Sequence, residues 1–290
     1  MQQPPLSRCL PQARVPLLLS LLLTAALPTQ AGGKLLATPG LNTIDGTAGG
    51  GLVPWATLSG YATRDELAAT VFLSQTGVGA YRLQVAGAAL NFYDRVEVSF
   101  ANQTFLLKGT GSEIGQQVFG LKTRLYGDLV YSFFPQISAG IQFRELQDGE
   151  IAGAVGADNA RHGTDYFVTA SKLQLGALFG YNLLWNVGLR ASDANQTGFL
   201  GFGGDAKNAY SILGEGSVAV LLTRSLAVGV EYRQKPDNLS FAREDDWQDV
   251  FIAYLPNKHL GVAIAWADLG HIAGQDNQQG LYLSINGALW

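Results

Sequence analysis

The chain has 290 residues, with 19 Lys and Arg against 23 Asp and Glu and a formal net charge of −4. A mildly acidic chain without a basic tract excludes nucleic acid as a partner. The single cysteine, Cys9, excludes a disulfide framework, and no linker-like change of composition divides the chain into separate domains.

The first 31 residues read as a secretory signal peptide. Arg8 and Arg14 precede the apolar run "VPLLLSLLLTAALP", and "PTQA" supplies small and polar residues before Gly32. The run from Val15 to Leu27 is about 13 residues, short of the roughly 20 that a spanning helix needs. Cleavage near Ala31 would remove Cys9, so the secreted chain carries no thiol.

Residues 32–51 come next as a Gly-rich segment that also contains Leu35, Leu36, Leu41 and Ile44. Two readings stay open: a plug in the lumen of a barrel formed by the rest of the chain, or an unstructured periplasmic leader. The glycines lack the Gly-Lys-Ser/Thr pattern and following helix of a phosphate cradle.

From residue 52 onward, period-two alternation recurs in segments of about 9 to 12 residues, the length with which a tilted strand crosses a bilayer. The pattern predicts about 12 strands, at 52–63, 79–88, 94–102, 116–131, 137–146, 164–175, 182–192, 208–222, 225–235, 247–255, 259–269 and 279–290. Short joins ("ALNFYD", "SFFPQ", "GALFGY", "LTRS", "LPNKH") alternate with longer polar ones near 63–78, 102–115, 146–163, 192–207, 235–246 and 269–279. Such sorting is the turn-and-loop asymmetry of an all-β, antiparallel, up-and-down outer-membrane barrel, which we expect over residues 52–290. A soluble sandwich has no reason to sort its loops in this way.

Parity assigns the two faces. Val96, Val98 and Phe100, Ile137, Ile141 and Phe143, Trp185, Val187 and Leu189, Leu226, Val228, Val230 and Tyr232, and Leu260, Val262, Ile264 and Trp266 are expected to face lipid. Trp185, Trp247, Trp266, Tyr131 and Tyr254 fall toward strand ends, where an aromatic girdle forms. The opposite parity is charged: Arg82, Arg95, Glu97, Lys122, Arg124, Asp128, Arg144, Arg190, Glu215, Glu231, Arg233 and Asp249. Such a set is tolerated within a membrane only if wet, mutually paired, or both. Its mixed signs favour a network of ion pairs across the lumen over a filter of one sign.

The last segment, "GLYLSINGALW", alternates Leu281, Leu283 and Ile285 against Tyr282, Ser284 and Asn286. A terminal strand left as an open edge would invite aggregation, so closure onto the first strand is expected. Trp290 is expected to act as the terminal aromatic read by the barrel assembly machinery. Strict alternation puts it on the parity of Tyr282, which predicts an irregularity near Gly287.

The stretches "GGKLLATPGLNTIDGTAGGGLVPWATLSGY" and "FGLKTRLYGDLVYSFFPQISAGIQFREL" resemble an uncharacterised Gram-negative family known as domain of unknown function 3034. The resemblance covers nearly all of the secreted chain. It implies secretion and an outer-membrane location, and brings no activity or site residues with it.

Function follows less directly. A passive, porin-like channel for a small solute fits best, with the basic excess of the lumenal set favouring anions. The alternatives are binding or adhesion by the long loops, or a structural outer-membrane role without transport. An enzyme is not expected: a barrel lipase needs Ser and His two residues apart on one strand face, and His162, His259 and His271 have no such serine. Asp245, Asp246 and Asp249 could together hold a cation, but a solvated acidic loop explains them as well. No cofactor or metal is expected, and beyond an unidentified solute the partners are outer-membrane lipid and the assembly machinery.

Overall fold

The computed structural model describes residues 34–289. The signal peptide and Trp290 lie outside the described residues. A two-residue hairpin, β1 (Leu41–Asn42) and β2 (Ala48–Gly49), comes first. Twelve long strands follow: β3 (Leu67–Val78), β4 (Tyr81–Phe92), β5 (Val96–Leu107), β6 (Ser112–Tyr126), β7 (Gln136–Leu146), β8 (His162–Leu178), β9 (Tyr181–Ser192), β10 (Ser211–Leu221), β11 (Leu226–Arg233), β12 (Trp247–Asn257), β13 (Leu260–Asp268) and β14 (Gln279–Ala288). One helical turn, α1 (Glu150–Ala154), sits in the join after β7.

The twelve strands pair antiparallel, each with its neighbours in sequence. β14 closes onto β3 from Gly280 opposite Val78 to Ala288 opposite Thr70. Closure gives every strand two partners and removes the open edge. Among the described residues no helix is long and apolar enough to cross a membrane; the strands do so. Leu73, Val98, Ile141, Val187, Leu189, Val230, Ile252, Ile264, Trp266 and Ile285 are exposed on the outer wall. A closed barrel with such an exterior satisfies its backbone internally while presenting apolar surface to lipid, which places it in the bacterial outer membrane.

The structure corrects the sequence reading at several points. The first barrel strand is Leu67–Val78, whereas 52–63 is a buried, irregular stretch inside the wall. "TVFLSQTGV" alternates well enough for a strand, but its polar members Thr70, Ser74 and Thr76 point inward and gave it the look of a loop. The loop alternation is also looser than expected. The long join expected at 63–78 is mostly strand β3, followed by a tight turn at 79–80, and the one expected at 102–115 shrinks to a tight turn at 108–111; at the opposite end, that of the chain termini, 127–135 forms a nine-residue join where a short one was expected. Trp247 is not in the girdle: β12 starts with an inward residue, and the Trp247 ring lies under the Lys235 ammonium at 5.2 Å.

Candidate functional site

Residues 37–62, nearly all buried, fill the barrel, and 34–36 and 63–66 lead into and out of it. Thr43 to Thr47 form the turn between β1 and β2, with the Thr43 N–H donating to Thr47 O at 2.9 Å. Gly49 and Gly50 are required by close approach. A Cβ on Gly49 would lie 2.2 Å from the carbonyl oxygen of Val53, and one on Gly50 would lie 2.0 Å from Glu231 Oε1. Sequence inspection sees these glycines only as flexibility; here they let the chain fold back on itself within the width of a barrel.

An irregular segment inside a protein must find partners for its peptide groups, and here the wall supplies them. Asn91 (β4) donates to Ser59 O at 3.0 Å, Gln103 (β5) to Ile44 O at 2.7 Å, and Lys122 (β6) to Ala48 O at 3.0 Å and Trp55 O at 3.2 Å. Gln136 and Ser138 (β7) both donate to Ala56 O, and Asn186 (β9) donates to Pro54 O. In the other direction, Ser171 (β8) accepts from Ala56 N at 2.8 Å, and Asn286 (β14) from Asn42 N at 2.7 Å. Glu97 (β5) accepts from the Thr47 hydroxyl, from Ala48 N at 3.1 Å and from Ser59 N at 2.7 Å. Glu231 (β11) takes Gly51 N and Leu52 N, each at 2.7 Å.

At the centre is a charge cluster. Arg144 (β7), Arg190 (β9) and Arg233 (β11) face Asp165 (β8), Glu215 (β10) and Asp45 of the inner segment. Arg144 donates to Asp45 and Asp165, each at 2.9 Å; Arg190 reaches Asp165 at 3.2 Å and Glu215 at 3.1 Å; Arg233 donates to Asp45 at 2.8 Å. Burial alone would raise the Asp45 carboxyl, but Arg144 and Arg233 outweigh it and hold the group below the usual carboxylate range. Lys122 and Glu97 form a separate buried pair at 3.3 Å.

Of the charges expected in the lumen, Glu97, Lys122, Arg144, Arg190, Glu215, Glu231, Arg233 and Asp249 lie there, all buried. Arg82 does not. It is exposed on the outer face of β4, because Tyr81, Leu83 and Val85 point inward there. Tyr81 stacks on Phe105, and Phe105 on Phe199, both at 5.0 Å, forming an apolar cap over the lumen. Arg95 is exposed in the 93–95 turn. Arg124 and Asp128 meet at 3.1 Å at the terminal end of the barrel, where Arg124 also pairs with Asp94; Asp128 lies in the 127–135 join, beyond the strand. Glu231 does not join the arginines: it binds backbone N–H groups instead. Asp45 and Asp165 were missed. The first sits in a segment without strand periodicity, the second beside the β7–β8 loop, where a solvated acid is the usual expectation.

Loops close the other end. The carbonyl oxygen of Thr197, in the buried Asn195–Gly198 turn, accepts from Arg144 and from Gln116, each at 3.1 Å. Glu244 and Lys235 pair at 3.3 Å in the 234–246 loop, where burial pushes Glu244 up and Lys235 down. The suggested acidic trio is dispersed: Asp245 bonds His271, Asp246 accepts from the Tyr232 hydroxyl, and Asp249 faces the lumen. Among the described residues no group of three or more His, Cys, Asp or Glu could hold a metal ion.

The model of the family described as "Protein of unknown function (DUF3034)" matches residues 38–286, from the inner segment to the last strand. The chain belongs to the DUF3034 family. No curated protein matches it. Among solved structures it is similar to the Acinetobacter baumannii outer membrane protein Omp33, at 10% identity and TM-score 0.45, covering 78% of this chain and 99% of that one. It is also similar to the NanC porin, at 12% identity and TM-score 0.46, covering 76% and 98%. An outer membrane channel from Pseudomonas putida F1 aligns at 10% identity and TM-score 0.41, covering 77% and 94%.

Proposed function

We propose that this DUF3034 barrel is a gated passage for small anionic solutes, held shut by residues 34–66. The observation that carries the reading is Asp45. Its carboxylate joins Arg144 on β7 to Arg233 on β11, so one residue of the inner segment completes a cluster of three arginines and three acids. Withdrawing the segment leaves Arg144, Arg190 and Arg233 against Asp165 and Glu215, a local charge of +1 where the balance had been zero. A solute carboxylate or phosphate would then meet guanidinium groups already arranged to bind an anion.

The test is conductance in planar bilayers. The intact protein should conduct little, and a chain lacking residues 34–61 should conduct with a preference for anions. Arg144→Ala in the shortened chain should reduce that preference. A shortened barrel that assembles, shown by heat-modifiable gel migration, yet does not conduct would exclude a passage and leave binding by the 147–161, 193–210 and 234–246 loops as the better reading.

A further inference from the structure

The lumen has two unlike halves. Arg144, Arg190 and Arg233 lie in the half toward the long loops. In the half toward the chain termini, Leu184 on β9, Ala219 and Leu221 on β10, Ala227 on β11, and Phe251 and Leu255 on β12 point inward, all buried, and make one apolar wall across four adjacent strands. The Phe251 ring covers Gly229 on β11, where a Cβ would stand 2.5 Å from Phe251 Cζ. Across the lumen the inward groups are polar, with Glu97, Lys122, Gln136 and Ser138 on β5 to β7. The interior of an outer-membrane barrel is ordinarily polar. A purely polar solute gives no reason to line four adjoining strands with carbon.

The inner segment shows what such a wall receives. Leu41 and Trp55, both buried, lie against it, and a Cβ on Gly261 of β13 would be 2.6 Å from Leu41 Cδ2 and 3.4 Å from Leu255 Cδ2. Trp55 Nε1 has no hydrogen-bond partner among the described residues. Burial of carbon surface therefore holds the ring in place, and the unmade bond counts against it. The fit is also loose, since a gap of about 30 Å³ remains between wall and segment. One stretch of chain thus brings a carboxylate, Asp45, to the arginines and an aromatic ring to the apolar wall. We propose that the anions this lumen accepts carry an apolar body, as aromatic carboxylates do, and that the inner segment occupies their place, with Asp45 standing for the carboxylate and Leu41 and Trp55 for the body. A ring without an N–H gains the same burial and leaves no donor unpaired.

The inference rests on the passage reading in one respect, that the segment leaves the lumen. Its test uses the intact, assembled barrel and two permanently charged anions that differ by a ring, benzenesulfonate and methanesulfonate. Benzenesulfonate should compete with the segment and speed proteolysis between residues 34 and 66, at a concentration about ten-fold below that at which methanesulfonate does so. Ala219→Ser/Ala227→Ser puts hydroxyls on the wall and leaves Asp45 and its arginines untouched, and it should shrink the difference. Equal potency of the two anions, or no effect of either, overturns the inference. So does a double variant that keeps the full difference, since the ring would then bind elsewhere. If the double variant does not assemble, Ala227→Ser alone is held to the same standard. Bilayer conductance tells the two readings apart: a ring preference without anion current supports this site and removes the passage, while anion current without a ring preference keeps the passage and overturns the apolar body.

Discussion

Asp45 has two arginine partners from strands a third of the barrel apart, so its replacement strands two guanidinium groups at once. Removing one partner of a buried ion pair costs about 3–5 kcal/mol, because the other charge is left uncompensated. Asp45→Asn keeps the size and removes the charge, and we expect it to raise the open fraction of the barrel in bilayer recordings. The sign of the pH dependence is fixed. A carboxyl lowered by folding contributes stability above its unfolded value of about 3.9, and loses it only as pH falls through the lower folded value. The latch at Asp45 should therefore hold from about pH 8 to about pH 5, and a barrel that opened within that range would show the latch to lie elsewhere. Much of this chemistry was legible: Arg144, Arg190, Arg233 and Glu215 fall on the inward parity of clearly alternating strands. Asp45 was not, because period-two reasoning has no purchase on a segment that folds as a hairpin and an irregular return.

At the scale of elements, sequence periodicity reports which side of a wall a residue faces, but not what stands behind the wall. It delimits β12 to β14 nearly to their ends, because outward Ile252, Ile264 and Leu283 alternate with inward Ala253, Ala263 and Ser284. It placed a strand at 52–63, since a lumen-filling segment also alternates apolar and polar groups, for packing and for hydrogen bonding to the wall. Two substitutions separate these cases. Ile264, opposite Ile252 at mid-strand, faces lipid, and Ile264→Arg should destabilise the barrel by about 2–4 kcal/mol, measured as a lowered denaturant midpoint in lipid vesicles. Gly49→Ala should spare the wall and disturb the inner segment, because its new Cβ would meet the Val53 carbonyl at 2.2 Å, a backbone atom with little room to yield. The expected signature is normal heat-modifiable migration together with faster proteolysis between residues 34 and 66. A Gly49→Ala barrel as protease-resistant as the wild type would mean that the turn is not needed to hold the segment.

For the whole molecule, the packed lumen has to be reconciled with a charged one. A barrel of twelve strands is wide enough to hold water, yet Arg144 and Lys122 are fully buried because groups of the inner segment and the Thr197 carbonyl have taken the places that water would occupy. The wall is thus built with polar side chains for which a solute or a segment of chain can compete. In the proposed passage, withdrawal of residues 34–66 returns those donors to water, and the uncompensated arginine sets the selectivity. Screening then gives a quantitative expectation. The Debye length is about 8 Å at 0.15 M salt and about 3 Å at 1 M, so the anion preference of a barrel lacking residues 34–61 should be clear at the lower concentration and largely lost at the higher. Reversal-potential measurements across a salt gradient at the two mean concentrations check this. A preference independent of salt would instead point to selection by pore size, and a cation preference would show that Glu97, Glu231 and Asp249, rather than the three arginines, govern the opened lumen.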